Sequence, residues 1–459
     1  MTRRFRTANY EETLDVKVSL REVLPPTHLA RFVVDIIAQL ELSNIYARFS
    51  RMGGGTAIAP EVLLALLFYG YATGVFSSRK IEKATYENLA FRFIAGNFHP
   101  DHDTIANFRK TFLAEIQGLF VQILMLAQLA GVLKLGNLSG DGSKIHADAS
   151  KSKAVSYKRL GELEAELQEE VVQLFAMAEK VEKGERQVPE SLVMPDEIAL
   201  RQERLAKLAE AKVVLEARAE ERHAIEQAEY EAKLHEREEK AKKNGRKPGG
   251  RAPQPPEAGP GDKDQYNFTD PDSRIMKNSN NAGFDQHYNT QVGVDQGSQL
   301  IVATTVSNHP NDKREVEPIL DAIAPEVGKP AAVAFDNGYF SADNITACEN
   351  RGITPYIATG REPHHISWES FLEELGNPPG ENATPKEKMA YQLRTEIGQT
   401  IYRLRKCTVE PVIGIIKEIL GFRQFSLRGL VAVAGEWCLV CLAFNLKRMC
   451  VLYQEKGLI

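Results

Sequence analysis

One short segment, residues 402–417, carries the residues whose types and spacing could do chemistry. It reads YRLRKCTVEPVIGIIK and holds a single carboxylate, Glu410. The bases around it are Arg403, Arg405, Lys406 and Lys417. The seven-residue step from Glu410 to Lys417 is about two helical turns, so the two side chains share one helix face. This pattern suits a site that holds a divalent cation and accepts phosphates, although such a stretch taken alone is more often a solvated helix face.

Two aspartates elsewhere in the chain stand where a metal site would need them. Asp141 lies between glycines in LSGDGSK, which predicts the end of a short strand. Asp336 follows the apolar run at residues 331–335, which is typical of a strand buried on both faces. Each aspartate taken singly is more often a turn or cap residue. Because open α/β sheets place ligands at strand ends, the two aspartates together with Glu410 favour one shared site.

These residues resemble the bacterial insertion-sequence transposases of the DDE type, which have a ribonuclease-H-like catalytic domain. Similar proteins carry a first-strand Asp followed by Gly or Thr and Lys, a second Asp in a D-x-G-Y setting, and a helix patterned Tyr, Arg, Glu, Lys. The matching residues are Asp141, Asp336, Gly338, Tyr339, Tyr402, Arg405, Glu410 and Lys417. The resemblance also includes residues 269–274, 288–291, 308–312 and the N-terminal helical region, and so covers nearly the whole chain.

One spacing in the Glu-bearing helix departs from the family pattern. Four residues separate Arg405 from Glu410, where the family has three. Lys406 fits the family spacing instead. The sequence therefore leaves the role of the family Arg open between Arg405 and Lys406.

The resemblance implies a transposase that cleaves DNA and transfers strands at insertion-sequence ends by two-metal phosphoryl transfer. Asp141 would bridge two Mg²⁺ ions, which Mn²⁺ can replace, while Asp336 and Glu410 would hold one ion each. Two such ions about 3.5–4 Å apart clamp the attacking and leaving oxygens of an in-line displacement. Water attack would cleave a strand, and attack by a freed 3′-hydroxyl would join one.

The implied partner is double-stranded DNA, both the terminal inverted repeats and the target, bound by a homodimer. The predicted DNA-binding side chains are Tyr402, Arg403, Arg405, Lys406, Lys417, Arg109 and Lys110. Arg109 and Lys110 belong to a predicted helix, turn and helix that could lie against a duplex. A helical cap whose bases are merely solvated is the alternative for this region.

Charge is unevenly distributed along the chain. A net charge of −5 is unusual for a DNA-binding protein. Residues 157–243, however, carry 16 Lys and Arg against 22 Asp and Glu, which leaves the rest of the chain near +1. Residues 401–428 have a local charge of +4. A basic strip thus accompanies the predicted site, as phosphate binding by counterion release requires.

Composition narrows the class of protein. At 459 residues, with 43% hydrophobic and 26% charged residues, the sequence is typical of a soluble globular protein of two or three domains. We find no secretory signal and no long apolar span, and therefore expect a cytoplasmic protein without a membrane partner. Five cysteines argue against a disulfide framework, and Cys438 and Cys441 are predicted as core residues.

The predicted fold is α/β, a ribonuclease-H-like mixed sheet flanked by helices, with an all-α N-terminal domain. We assign residues 1–130 to a helical DNA-binding domain, and 131–155 with 264–459 to the catalytic domain. Residues 156–243 carry leucine heptads on both sides of a Pro break and predict an antiparallel coiled-coil hairpin that fades past Arg222. Residues 244–263 are a Pro- and Gly-rich linker.

Individual elements follow from local pattern. We predict helices at 28–40, 80–90 and 104–129, the first capped by Thr27 and the last by Asp103. A β-hairpin at 288–306 and an apolar helix at 430–449 against the sheet are also expected. The element order matches a ribonuclease-H-like sheet, and this resemblance implies that Asp141 lies on the central strand and Asp336 on its neighbour.

Two other functions stay open on sequence grounds. One is a catalytically inactive relative that binds DNA or acts through its coiled coil, against which the intact acidic triad argues. The other is a nuclease of the same fold that cleaves DNA in Mg²⁺ but never joins ends.

Overall fold

The structure is a computed structural model that describes residues 19–20, 22–49, 57–183, 185–187, 189, 192–244, 252–278, 283–360, 376–380 and 383–459. The chain divides into two compact units, Met1–Ala147 with His287–Ile459, and Asp148–Gln286. The first unit holds both the predicted N-terminal helices and the main sheet. The predicted domain boundary at residue 130 stays a prediction.

Helices and strands alternate along most of the described chain. The helices are α1 (Leu29–Ile37), α2 (Ser43–Phe49), α3 (Pro60–Ala72), α4 (Ser78–Glu87), α5 (Leu89–Ile94), α6 (His102–Thr111), α7 (Leu113–Leu129), α8 (Tyr157–Glu182), α9 (Met194–Asn244), α10 (Val316–Asp321), α11 (Ala342–Asn350), α12 (Pro385–Arg394), α13 (Glu396–Gly414) and α14 (Leu430–Glu455). The strands are β1 (Asn137–His146), β2 (Ala154–Ser156), β3 (Gln265–Asn267), β4 (Arg274–Lys277), β5 (Phe284–Asp295), β6 (Ile301–Ser307), β7 (Ala332–Phe335) and β8 (Thr354–Ile357).

The sheet of the first unit has the order β6–β5–β1–β7–β8. β1 pairs antiparallel with β5 and parallel with β7, and β8 continues the parallel side. The predicted hairpin is confirmed as β5 and β6. Asp141 thus lies on a central strand, and Asp336 directly follows the strand beside it. A mixed sheet with helices packed against it is consistent with the ribonuclease-H-like α/β class.

Helix α14 packs against the sheet, as predicted. Trp437 donates its indole N–H to the carbonyl of Gln291 on β5 at 3.1 Å. Asn445 accepts from the backbone N–H of Ile301 at 2.8 Å and donates to its carbonyl at 2.7 Å. Among the described residues α14 is the one unbroken helix long and apolar enough to cross a membrane, but 72% of its most apolar window is buried in the protein, as in the core helix of a soluble protein. Cys438 and Cys441 are buried on α14, as predicted.

The N-terminal helices differ from prediction in their bounds. The helix predicted at 104–129 is two helices, α6 and α7, bent by 74° at the buried Phe112. Asp101, not Asp103, caps α6, because its carboxylate accepts from the N–H of Thr104 at 2.7 Å and so satisfies a first-turn donor. His28, not Thr27, caps α1 by accepting from Ala30 N–H at 3.1 Å.

The second unit contains an antiparallel pair of helices. Glu170 on α8 contacts Arg201 on α9 at 2.6 Å, and Glu164, earlier on α8, contacts Lys212, later on α9, at 2.7 Å. The two helices therefore run antiparallel. Three leucines of the predicted heptads form a small buried core between the two helices, together with an alanine. This core is Leu160, Leu208, Ala211 and Leu215. The supercoiling of a true coiled coil stays a prediction.

One expectation for this unit is corrected. Helix α9 does not fade past Arg222 but continues to Asn244, because its Ala-, Glu- and Lys-rich sequence favours helix even where the leucines end. Lys158 N–H donates to the carbonyl of Asp262, at the end of the predicted linker, at 3.3 Å, and Arg222 contacts the carboxylate of Asp264 just beyond it at 3.0 Å. The linker itself stays a prediction.

Candidate active site

Helix α13 lies across one face of β1. Side chains alternate along a strand, so Ser139, Asp141 and Ser143 point to the same face. The hydroxyl of Thr408 on α13 donates to that of Ser139 at 2.9 Å. Two residues further along β1, the guanidinium of Arg405 reaches Asp141. The helix that carries Glu410 is thereby fixed to the strand that carries Asp141.

Arg405 bridges two of the predicted metal ligands. Its Nη1 lies 3.1 Å from Oδ2 of Asp141, and its Nη2 lies 3.0 Å from Oε1 of Glu410. The Arg405 side chain is only 10% exposed, whereas Lys406 is exposed on the outer side of the helix. Arg405, not the base at the family spacing, is therefore the cation that faces the carboxylates. Its guanidinium carbon also lies 5.9 Å from the centre of the Tyr402 ring.

Asp336 reaches the same region from the neighbouring strand. Ser139 on β1 pairs with Ala334 on β7, so two residues further on Asp141 and Asp336 occupy equivalent positions. Adjacent strands lie about 4.8 Å apart, and equivalent positions point to the same face. Oδ1 of Asp336 accepts from Gly338 N–H at 2.8 Å and caps the short 3₁₀ turn that follows. The prediction that Asp336 ends a buried strand is confirmed.

The prediction that Asp141 ends a short strand is wrong. It lies in the middle of the ten-residue β1, whose pairing with β5 continues to His146. The glycines beside it have a steric role. A Cβ at Gly140 would stand 2.0 Å from the ring of Phe335, and one at Gly142 would stand 2.4 Å from the side chain of Gln291. The Gly-Asp-Gly pattern therefore reflects close packing on the sheet face opposite Asp141.

The pKa of Asp141 is shifted by its burial and by the charged side chains around it. Burial raises its pKa, Arg405 lowers it, and Asp336 and Glu410 raise it again, to a net value of about 6. The two other carboxylates are thus close enough to disfavour ionisation of Asp141. A cation placed among them would relieve this repulsion.

The Arg405 guanidinium pairs with two of the three predicted carboxylates, those of Asp141 and Glu410. In the part of the chain that the structure describes, no group of three or more Asp, Glu, His or Cys side chains has the arrangement of a metal site. Arg405 supplies the local positive charge for Asp141 and Glu410. Arg405 thus links Asp141 to Glu410, and Asp336 is near enough for its charge to raise the pKa of Asp141. The assignment of all three as metal ligands stays a prediction.

A polar network that the sequence did not assign lies on the face of the sheet opposite Asp141, where the side chain of Gln291 meets Gly142. Asn289 and Gln291 on β5 each donate a side-chain N–H to Oδ1 of Asp312 at 2.8 Å. The hydroxyl of Tyr339 donates to Oε1 of Gln291. Burial, followed by the charges of Asp312 and Asp141, raises the pKa of Tyr339 well above its usual range. Asp312 is thus a further acid near the site, and its motif at residues 308–312 was the available signal.

Gly338 separates Asp312 from Asp336. A Cβ at this glycine would lie 3.0 Å from Oδ1 of Asp336 and 3.6 Å from Oδ2 of Asp312. The glycine of the D-x-G-Y motif thus leaves room for two carboxylates to approach one turn.

Lys417 contacts the same face of β1. It lies in the π-helical turn Ile415–Ile419 that follows α13, and its Nζ donates to Oγ of Ser143 at 2.9 Å. Burial lowers the pKa of Lys417. Arg403 is exposed on α13, and Tyr402 is half-buried. The predicted DNA-binding residues of this helix therefore divide into an inner group, Arg405 and Lys417, and an outer group, Arg403 and Lys406.

Arg109 is not available to bind DNA, so that prediction is wrong. Its side chain is buried, donates to the hydroxyl of Tyr71 at 2.7 Å and lies 3.9 Å from the carboxylate of Glu436. On helix α6 the Arg109 side chain points inward, towards this buried acid, and the Lys110 side chain is exposed. Sequence reasoning missed the exposed bases of the neighbouring helix α4, which are Arg79, Lys80 and Lys83.

Two family models match the chain. Residues 18–111 match a model described as "Transposase domain (DUF772)", and residues 259–446 match one described as "Transposase DDE domain". Together the two matches cover more than half of the chain, and the second includes Asp336 and Glu410. Asp141 lies between them, upstream of the second unit. Searches of curated proteins and of solved structures return no significant match.

Proposed function

The chain belongs to the DDE-type transposases of insertion sequences, and from this premise we propose that it cleaves DNA at the ends of such an element and joins the freed 3′ ends to target DNA. The observation that carries the proposal is the double ion pair of Arg405 with Asp141 and Glu410. It links a strand outside both family matches to the helix inside the second. The register of β1 with β7, continued two residues beyond its last pair, supports the inclusion of Asp336 in the site.

Members of this family generally use divalent metal ions. The residues fit such an ion, because three carboxylates supply the hard oxygen ligands that Mg²⁺ prefers and a guanidinium already stands between two of them. We assign Asp141, Asp336 and Glu410 as the residues that would hold two Mg²⁺ ions, with Mn²⁺ as a substitute. When bound, the ions would activate the attacking oxygen and stabilise the leaving oxygen of a phosphodiester.

Arg405 has two tasks in this proposal. In the metal-free protein it keeps the carboxylates of Asp141 and Glu410 together against their mutual repulsion. If cations were bound to the carboxylates, the ion pairs would weaken and the planar N–H donors of Arg405 could bind a DNA phosphate, which guanidinium groups bind in a bidentate manner. Lys417 and Tyr402 would contact phosphates beside it.

The remaining DNA contacts come from exposed bases. Arg403 and Lys406 extend the basic strip along the outer side of α13. In the N-terminal helical region, Lys110 and the three exposed bases of α4 would neutralise phosphates of the terminal repeat. Because two ends must be held together during transposition, we propose a homodimer on DNA, with the helix pair of the second unit as a candidate contact.

The deciding experiment is metal-dependent nicking of a labelled duplex that carries the inverted repeats flanking the gene. We expect wild-type protein to cut at the repeat boundary in Mg²⁺ and to join the cut end to a second duplex. Asp141→Asn should lose cutting by at least about 10³-fold, yet bind the repeat with unchanged affinity. Asp35→Asn, which changes an exposed acid on α1, is the matched control and should cut normally.

The other outcomes point to the alternatives. Binding by the wild type without any cutting would indicate an inactive DNA-binding relative. Cutting without joining would indicate a nuclease of the same fold.

A further inference from the structure

A proline follows the catalytic glutamate inside helix α13. Pro411 has no backbone N–H, so it cannot donate the usual helical hydrogen bond to the carbonyl four residues earlier, that of Cys407. The turn that carries Glu410 is therefore the one whose helical bonding is incomplete.

A side chain from the sheet supplies the missing donor. Nε2 of Gln299 lies 3.0 Å from the carbonyl oxygen of Cys407. Gln299 belongs to the turn between β5 and β6, far from α13 in sequence. The hydrogen bond that Pro411 removes from the helix is thus replaced by one from a distant amide.

The turn presents Gln299 in a fixed conformation. Gln299 has a φ of 61°, in the left-handed region that non-glycine residues seldom adopt. Its N–H donates to the carbonyl of Asp295 at 2.9 Å, and the Asp295 carboxylate accepts from the N–H and hydroxyl of Ser298 at 2.8 and 2.7 Å. Surrounding bonds therefore hold a residue in a conformation that costs about 1 kcal/mol or more.

The same turn also contacts α13 at a second position along the helix. Nε2 of Gln296 lies 2.9 Å from the carbonyl oxygen of Ile401 and 2.9 Å from the hydroxyl of Ser139. The two glutamines thus hold α13 at Ile401 and Cys407, on either side of Arg405. The hairpin turn positions the helix against β1 where Asp141 lies.

We propose that Gln299 is a positioning residue for the catalytic helix. By donating to the Cys407 carbonyl it holds the turn that Pro411 weakens, and so sets the place of Glu410 relative to Asp141. This inference rests on the proposed function for its effect on cleavage, but the anchoring itself is independent of activity.

The test is a double-mutant cycle of Gln299→Ala and Pro411→Ala. Alanine keeps a Cβ at this left-handed position. The first change therefore removes the side-chain donor without relieving the backbone strain at residue 299. We expect Gln299→Ala to slow single-turnover cleavage about fivefold, the value of one hydrogen bond, with DNA affinity unchanged. In the Pro411→Ala background the same change should have no effect, because the N–H of the alanine bonds the Cys407 carbonyl.

The control is Gln399→Ala, which removes an exposed side-chain donor to a backbone carbonyl from the first turn of the same helix. It should not alter the cleavage rate. The proposal would be overturned if Gln299→Ala slowed cleavage equally in the wild-type and Pro411→Ala backgrounds, or did not slow it at all.

A second readout separates this inference from the proposed function. Hydrogen exchange of the amides at residues 408–414 should be faster in Gln299→Ala than in wild type and return to the wild-type rate in the double variant. If wild-type protein cut no DNA, the proposed function would fail, and the exchange rates would still decide whether Gln299 anchors the helix.

Discussion

At the scale of single residues, Arg405 decides the electrostatics of the site. It is nearly buried between Asp141 and Glu410 and takes the position of a cation among acids. A guanidinium cannot be deprotonated in a protein, so its charge is permanent. Metal ions and Arg405 should therefore compete for the same two carboxylates.

This competition can be measured without DNA. We expect Arg405→Ala to lower the metal-free stability by about 1–3 kcal/mol, because two acids lose their shared partner. Added Mg²⁺ should raise the melting temperature of the variant more than that of wild type. Lys406→Ala, at the exposed neighbouring position, is the control in thermal denaturation with and without metal. Equal metal-induced shifts in Arg405→Ala and wild type would contradict the competition.

The pH dependence of metal binding follows from Asp141. Burial and the neighbouring acids raise its pKa to about 6, against opposition from Arg405. Because a metal ligand must be ionised, we expect the apparent Mg²⁺ affinity to fall about tenfold per pH unit below that value. Titration calorimetry at several pH values measures this, and an affinity independent of pH between about 5 and 7 would refute it.

The stability of the metal-free protein should change in the opposite direction. The folded state holds the Asp141 proton more tightly than the unfolded state, whose pKa is near the ordinary 3.8. Stability is therefore lost as pH rises from about 4 to about 6, and the loss persists above that range. Asp141→Asn, which stays neutral, should remove this component from a series of urea titrations.

The sequence could not predict whether an individual arginine side chain points into the protein or towards solvent. Arg405 and Arg109 were both predicted as DNA contacts. In the structure the side chain of each is buried and lies against a carboxylate from a distant part of the chain. Local spacing reports which residues share a helix face, but not which face meets an acid. Asp336 was easier to place because it follows an unbroken apolar run, whereas Asp141 was wrongly placed at a strand end because the glycines beside it resembled a turn.

At the scale of elements, the packing around β1 explains the glycines of its motif. Gly140→Ala would set a methyl group against the ring of Phe335 inside the sheet. We expect a loss of about 1–3 kcal/mol in the free energy of unfolding, as for other overpacked cores. Urea denaturation measures it.

A helical glycine offers the control. Gly118 on α7 has no atom within 4 Å of an added Cβ, so Gly118→Ala should be neutral or stabilising. Equal stability of the two alanine variants would show that Phe335 moves aside without cost.

Most elements of the sheet could be predicted, and the reasons for the misses are local. The hairpin and helix α14 followed from local sequence pattern, and the order of the strands followed from the resemblance to the ribonuclease-H-like fold. Helix α12 was overlooked in a Pro-, Gly- and Glu-rich stretch, although Thr384 and Glu387 form a capping box with Pro385 at the first helical position. The bend at Phe112 could not be predicted, because the sequence has no Pro or Gly at that position.

At the scale of the whole molecule, charge is divided between two parts of the chain. The acidic excess lies in the helix pair of the second unit, and the first unit retains the basic strip beside the carboxylates. Net charge alone would have argued against DNA. Its distribution along the sequence was sufficient to recover the expectation of a phosphate-binding surface, because charges act over about 10 Å or less at ordinary salt.

The position of the second unit in the chain has a consequence for biosynthesis. β1 ends at His146, but its partner β5 begins only at Phe284, and β7 comes later still. At about 5–20 residues per second, a ribosome needs on the order of ten seconds to deliver the first partner. During that interval the Asp141 strand has two unpaired edges, which are prone to associate with other chains. Early folding of the helix pair would draw the ends of this long connection together and shorten the exposure of the nascent strand.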